Sequence, residues 1–244
     1  MPIQQMFLGT SSGTQPLGDL PITSNLLWYH DAFYVTQSGG NVTQWTDLSG
    51  NGRHRTVSGG TMGDGISQQQ ADEGDNYLTS PRKYLKNDSG GHGIKWSGTN
   101  VWPGQTYTLM HICARPDNSI GRIVDGFGTN WLSGFHDTNE GVFYHNGWMV
   151  QNNLDTRENF LVCVDRQNRV RARGKYFSNG STVDSGTQTD SGRSGPTTSN
   201  GIGVGAGDYG GAVNSAGGEF ANWKCIMIAC WSDNKSDSDS NTLI

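Results

Sequence analysis

The run WKCIMIACW, Trp223–Trp231, is the most apolar stretch of the chain. A strand with one wet face alternates apolar and polar side chains, and this run does not. It therefore reads as a central strand buried on both faces. Strict alternation puts Cys225 and Cys230 on opposite faces. Working outward, short apolar runs from Ile22 onward alternate with Gly/Asn/Asp/Ser turns at the spacing of a sandwich or barrel. The expected strands are Leu26–Tyr29, Val42–Trp45, Gly93–Trp96, Tyr107–Arg115, Arg122–Gly126, Trp131–His136, Gly141–Tyr144, Phe160–Asp165, Arg169–Phe177, Gly201–Gly205 and Asn222–Trp231.

Composition supports this reading. The chain has 244 residues, which suits one large β domain. Its 36 glycines favour turns, while four glutamates and 17 Lys plus Arg leave few good helix formers. Long helices are not expected; Ser236–Ile244, with Ser and Asp ahead of Leu243 and Ile244, suggests one short terminal turn of helix. Eight Trp, eight Tyr and eight Phe can build the core. Ser178–Asn200, rich in Ser, Thr and Gly, is expected to be the least ordered part of the body.

A net charge of −5 argues against a nucleic-acid partner, because phosphate binding needs clustered Lys and Arg. The one basic cluster is Arg166, Arg169, Arg171, Arg173 and Lys175. Its last four members alternate and read as the solvated face of a strand before they read as an anion site. Cys113, Cys163, Cys225 and Cys230 lie in apolar runs without metal-type spacing and are expected to be buried free thiols. The N-terminus lacks a basic n-region and a signal-length apolar run, and no segment approaches the ~20 apolar residues of a membrane span. A chain made in a cytoplasm, with no membrane partner, is expected. Residues 1–20 combine a small apolar patch (Ile3, Met6, Phe7, Leu8) with a Ser/Gly/Thr/Pro linker. They form either a frayed terminus or an arm that orders on a partner.

In NVTQWTDLSGNGRH, Asn41–His54, Trp45 is expected to plug the core, with Leu48–Gly52 turning the chain across the sandwich. Together with LWYHDAFYVTQSGG before it, GIKWSG, YTLMHICAR, GRIVDGFGTNWLSGFH, FLVCVDRQNRVRARGKYFSNGSTV, GIGVGAG and GEFANWKCIMIACWSD, it resembles the concanavalin A-like (laminin G-like) jelly-roll family of bacterial and phage proteins. The resemblance covers about Leu26 to Asp233. The chain departs from it at the end, where SDNKSDSDSNTLI stands in place of a longer Glu/Arg-rich helix. The start MPIQQMFLG resembles the N-termini of tailed-phage virion proteins. These resemblances imply an all-β, two-sheet antiparallel jelly-roll sandwich over 21–244, with 1–20 as a docking arm. They also imply a virion component, on a tail fibre or as capsid decoration, that docks on other virion proteins through its N-terminal arm, forms a homo-oligomer in the particle and has a host-surface glycan as a candidate ligand. A lectin or adhesin outside a virion is the alternative; a diverged glycan hydrolase comes third.

Catalytic motifs are hard to find. Some enzymes of this sandwich use a Glu-x-Asp-x-x-Glu strand as nucleophile and acid. Only EGDNYL, Glu73–Leu78, comes near, and Leu78 stands where the third acid belongs; Glu140, Glu158 and Glu219 are distant in sequence. There is no GxSxG, HExxH or GxxxxGK[ST] motif, so a non-enzymatic chain is expected. A glycan site needs an aromatic platform with Asp and Asn for hydroxyls. The densest such stretch is WLSGFHDTNEGVFYHNGWMVQNNLD, giving Trp131, His136, Asp137, Asn139, His145, Asn146, Trp148, Asn152 and Asp155. Packing competes with stacking for Trp131 and Trp148, and turn roles compete with metal ligation for His136 and His145. No cofactor is expected; Asp72, Glu73 and Asp75 could share calcium by charge count alone, with no motif behind it.

Overall fold

The computed structural model describes residues 20–70, 82–87, 92–116, 121–151, 153–157, 159–175, 178–205 and 221–244. Ile3, Met6, Phe7 and Leu8 of the expected arm lie outside the described residues, as do Asp72, Glu73, Asp75, Glu158 and Glu219. The strand pairings are antiparallel, and two sheets face each other.

The nine-stranded sheet runs in the order β15 (Thr182–Asp184), β14 (Arg169–Lys175), β13 (Leu161–Arg166), β8 (Thr108–Ala114), β18 (Trp223–Trp231), β6 (Lys83–Asn87) and β5 (Ser67–Gln70). Within it, β1 (Leu26–Asp31) also pairs with β18, and β16 (Gln188–Thr189) with β14. The facing six-stranded sheet runs β12 (Trp148–Val150), β11 (Asn139–His145), β10 (Trp131–His136), β9 (Val124–Gly126), β17 (Ile202–Val204) and β7 (Ile94–Trp96). A third, three-stranded sheet of β2 (Val35–Ser38), β3 (Asn41–Trp45) and β4 (Arg55–Thr56) closes one edge. Arg55 Nη1 ties it to β7 by donating to the Lys95 carbonyl at 2.9 Å.

The opening strand is central, as its composition requires. β8 runs along one edge of β18, while β6 and β1 share the other. Its cysteines depart from strict alternation: Cys225 and Cys230 both join the cluster between the sheets, whereas Ile226, Met227, Ala229 and Trp231 join the one on the far face. A β-bulge between Cys225 and Met227 inserts one residue against β8 and resets the parity. Cys113 and Cys163 share that inner cluster, and all four thiols are unpaired and buried.

The inner cluster also holds Trp28, Trp45, Trp96, Trp102, Trp131, Phe135 and Phe143. The far face of the nine-stranded sheet carries Met110, Ile112, Val162 and Val164 under Leu20, Leu243 and Ile244, which explains why β8 and β13 are apolar on both faces. Leu243 belongs to α1 (Asp237–Leu243), where Ser236 and Asp239 form a capping box. Arg166 and Arg169 hold α1 from the sheet, each 2.7 Å from Asp237, and keep that carboxyl below the usual carboxylate range. Arg171 pairs with Asp184 at 2.6 Å. The alternating basic row is thus a half-buried strand face answered by local acids.

Ser178–Asn200, expected to be least ordered, instead adds β15 and β16 to the sheet edge, with Asp184 on Arg171 as its anchor. The turn after β3 is organised by Asp47, whose carboxylate accepts from the backbone N–H groups of Tyr29, Ser49 and Arg53 at 3.1, 3.0 and 2.8 Å. Burial pushes the Asp47 carboxyl up, but these donors outweigh it and leave the group below its ordinary value. Trp45 is fully buried, as expected of a core plug.

Candidate functional site

The expected site stretch folds as the β10–β11 hairpin plus edge strand β12. Alternation along the strands splits its residues between two faces, and the sheet register shows which ones meet. Leu132, Tyr144 and Trp148 are successive cross-strand partners on the outer face. There the Trp148 ring meets His136 at 5.3 Å and Tyr144 at 5.1 Å, both edge-on. His136 Nδ1 lies 3.3 Å from an Asp137 carboxylate oxygen. All three rings are half-buried and Asp137 is exposed. Beside them a cleft of about 350 Å³ is lined by Trp148, Met149, Val150, Gln151 and Gln188. It sits where the two sheets' edge strands β12 and β16 approach each other. Trp148, the ring that links the aromatic cluster to the cleft, offers a stacking surface there beside the hydroxyl-matched donors and acceptors of Gln151 and Gln188.

Trp131 and His145 are corrections. Both are fully buried between the sheets, because positions 131 and 145 point inward where 144 and 148 point outward. Their rings stack 5.6 Å apart. His145 Nε2 faces Asp165 at 3.1 Å and Nδ1 faces the Gln167 carbonyl at 3.0 Å, so it is a strand residue with fixed partners, not a turn residue or a ligand. Tyr107 donates to the other Asp165 oxygen at 2.8 Å and accepts from Trp131 Nε1 at 3.2 Å. Burial, and then Asp165, push the Tyr107 hydroxyl well above its ordinary range. The group resembles a catalytic relay in composition, but each of its side chains is sealed. It pins the two sheets together.

The polar residues divide similarly. Asp137, Asn146 and Asp155 have φ of 50°, 53° and 47°, the left-handed region that Asn and Asp tolerate best, so backbone geometry accounts for their identity. Asn139 is the cross-strand partner of His136 and is half-buried. Asn146 is exposed, with its carbonyl 3.5 Å from Arg193 Nη1. Asp155 pairs with Arg157 at 2.8 Å on a loop anchored to Glu140, away from the aromatic cluster. Asn152 lies outside the described residues. Of the nine expected residues, the structure thus brings His136, Asp137 and Trp148 together, with Asn139 adjoining. Tyr144, Gln151 and Gln188 were missed. Tyr144 could have been found from its pairing with Trp148, but a register shift between Phe143 and Tyr144 hides that pairing. Gln188 arrives from a distant loop and leaves no local signal. Among the described residues no cluster of His, Cys, Asp and Glu is arranged to hold a metal ion, and no helix is long and apolar enough to cross a membrane.

No protein-family model matches the chain, and no curated protein matches it in sequence. Solved structures do resemble it. Trypanosoma rangeli sialidase aligns over 92% of this chain at 10% identity with a TM-score of 0.55. The same enzyme in complex with 2,3-difluoro-KDN aligns over 98% at 10% identity with a TM-score of 0.56. This chain spans 33% and 36% of those two chains, about a third of the sialidase. An arabinofuranosidase complexed with arabinofuranosyl-α-1,2-xylobiose aligns over 89% of this chain and 61% of its own, at 13% identity and a TM-score of 0.45. At such identities the likeness is one of fold: an all-β, two-sheet antiparallel sandwich of the jelly-roll kind.

Proposed function

We propose that this chain is a non-catalytic carbohydrate-binding module carried on a tailed-phage virion, as a tail-fibre or capsid-surface component. The observation that carries the binding reading is the half-exposed Trp148, set edge-on to His136 and Tyr144 beside a cleft offering Gln151 and Gln188. Such a site joins one aromatic ring to amide donors and acceptors in a cleft, the combination that sugar recognition uses. The two sialidase structures that share the fold add support of a weaker kind: one is complexed with a nonulosonic acid derivative, so a sandwich of this shape occurs within a glycan-handling protein.

The state of Glu140 argues against its serving as one of a catalytic carboxylate pair. It is the one glutamate among the described residues, and Arg115 and Thr156 engage its two oxygens at 2.9 and 2.6 Å in full burial. A glycosidase acid needs access to the scissile bond and a second carboxylate at fixed distance.

The virion assignment rests on the resemblance of the N-terminal stretch and of the sandwich blocks to phage structural proteins. In this reading Ile3, Met6, Phe7 and Leu8 dock on another virion protein and the body assembles as a homo-oligomer. A free lectin would share the Trp148 site and differ in location. Two measurements test the reading. At least one glycan bound by the native chain on an array should be lost in Trp148→Ala while the fold is kept; an array profile unchanged from native refutes the site. Mass spectrometry of purified particles should detect the chain, and its absence refutes the virion role.

A further inference from the structure

The turn joining β1 to β2 carries the two exposed large hydrophobic side chains among the described residues, Phe33 at 57% and Tyr34 at 37% exposure. Their backbone is tightly held. The Phe33 N–H donates to Asp31 Oδ1 at 2.8 Å, the Tyr34 N–H donates to the Asp31 carbonyl at 3.0 Å, and the Tyr34 carbonyl accepts from the Thr46 N–H at 3.0 Å. Asp31 itself is buried. The two rings meet edge-on at 5.2 Å. A rigid turn that shows two aromatic rings to water adds nothing to the core and invites association, so the pair calls for a ligand.

The surroundings indicate which kind. From Ala32 to Thr46 the sequence contains no charged residue, and Thr36, Gln37, Ser38 and Asn41 are exposed. Gln68 donates to the carbonyl of Ala32, the residue that precedes the pair. Its Oε1 accepts from Gln37 Nε2 at 2.7 Å and from Lys83 Nζ at 3.4 Å. Protein interfaces of standard size bury about 800 Å² per partner and favour Arg among their anchors. Two rings among amides and hydroxyls, with the Lys83 ammonium reaching Gln68, offer a different chemistry. It matches a saccharide, whose C–H face stacks on a ring while its hydroxyls exchange hydrogen bonds with amides.

We infer that Phe33 and Tyr34, with Gln37 and Gln68, form a second glycan-binding site, one that takes uncharged saccharides by ring stacking and amide hydrogen bonds. It is separate from the Trp148 cleft. β12 is one edge of the six-stranded sheet and β7 the other, and the three-stranded sheet that follows this turn adjoins β7. The inference does not depend on the Trp148 reading.

The test uses the full chain. A panel of neutral and sialylated oligosaccharides is screened on an array, and the best neutral binder is titrated calorimetrically into the native protein and three variants. Phe33→Ala/Tyr34→Ala should weaken binding by about tenfold or more, with a melting temperature within about 2 °C of native. Phe33→Leu keeps apolar bulk without the ring and should also weaken binding, while Trp148→Ala should bind the neutral sugar as the native chain does. The inference is overturned if the native chain binds no neutral saccharide, or if the double variant or Phe33→Leu binds it normally. It is also overturned if sedimentation shows that the double variant loses self-association while sugar binding stays. Loss of neutral-sugar binding in Trp148→Ala alone would overturn this inference and leave the Trp148 reading standing; loss in the Phe33 and Tyr34 variants alone does the converse for neutral sugars.

Discussion

Arg115 and Glu140 meet across the sandwich at 2.9 Å with side chains 3% and 0% exposed. Arg115 follows β8 in one sheet and Glu140 lies on β11 in the other, turned inward by the register shift that skips Gly141. Arg115 also donates to the Asp137 and Thr138 carbonyls, so the pair fixes the turn that presents His136 and Asp137. Glu140→Ala strands a buried guanidinium, and about 3–5 kcal/mol of stability should be lost in urea titration. A loss below about 1 kcal/mol would mean that the backbone carbonyls suffice for Arg115.

Gly141 makes that inward turn possible. Its φ is 74°, and a Cβ there would sit 2.5 Å from Leu154 Cδ1. Gly141→Ala should cost about 1–3 kcal/mol through backbone strain and collision, and should weaken the Trp148 site by moving the hairpin. Chemical-shift changes confined to residue 141 and its immediate neighbours would contradict the second half.

Trp131 and Trp148 should behave oppositely. Trp131→Ala removes a fully buried ring and should cost about 3–5 kcal/mol. Trp148→Ala should leave the unfolding midpoint near native and abolish binding of the glycans that its own cleft takes. The pair of measurements separates packing from recognition in two tryptophans on the strands that flank β11 in one sheet.

Acid should destabilise the sandwich in a defined window. Burial lowers His30 from its ordinary 6.5 to about 3, and burial lowers His111 from 6.5 to about 3 as well. His30 stays neutral, its Nδ1 donating to the Thr46 carbonyl at 3.1 Å and its Nε2 accepting from Trp96 Nε1 at 3.1 Å. Below the ordinary value the unfolded chain binds a proton at each site that the folded chain does not. Stability should therefore be complete above pH 6.5 and fall as pH drops toward about 3, by ~1.4 kcal/mol per pH unit for each histidine. His111→Asn should remove one of the two protons from the measured slope. An unchanged slope would show that His111 does not contribute.

Asp47→Ala should cost about 2 kcal/mol, because three backbone N–H groups lose a charged acceptor. Asp47→Asn should cost less, keeping one oxygen for the donors.

The fold was legible wherever apolar content alone decides it: β18, β8 and β13 are buried on both faces, and no partner information is needed to read them. What stayed hidden was parity. The bulges beside Met227 and Gly141 each insert one residue, so Cys225 and Glu140 face the interior against simple alternation. Short polar strands such as Ser67–Gln70 and Thr182–Asp184 carry no hydrophobic signal, because they are edge strands whose pairing comes from their neighbours. The site was half legible for a related reason. Residue types suited to sugars also suit left-handed turns, and only the register separates Trp148 and His136 from Trp131 and His145.

The bulge in β18 has a practical consequence. By returning Cys225 to the side that Cys230 occupies, it gathers all four thiols into the sealed space between the sheets. Burial pushes Cys113, Cys163 and Cys230 well above the ordinary thiol range, so the closed sandwich offers almost no reactive thiolate. An alkylating reagent can reach them only when the sheets part. The chain thus carries its own clock for whole-molecule opening, and the rate at which it takes up label would time the lifetime of the closed sandwich without any engineered probe.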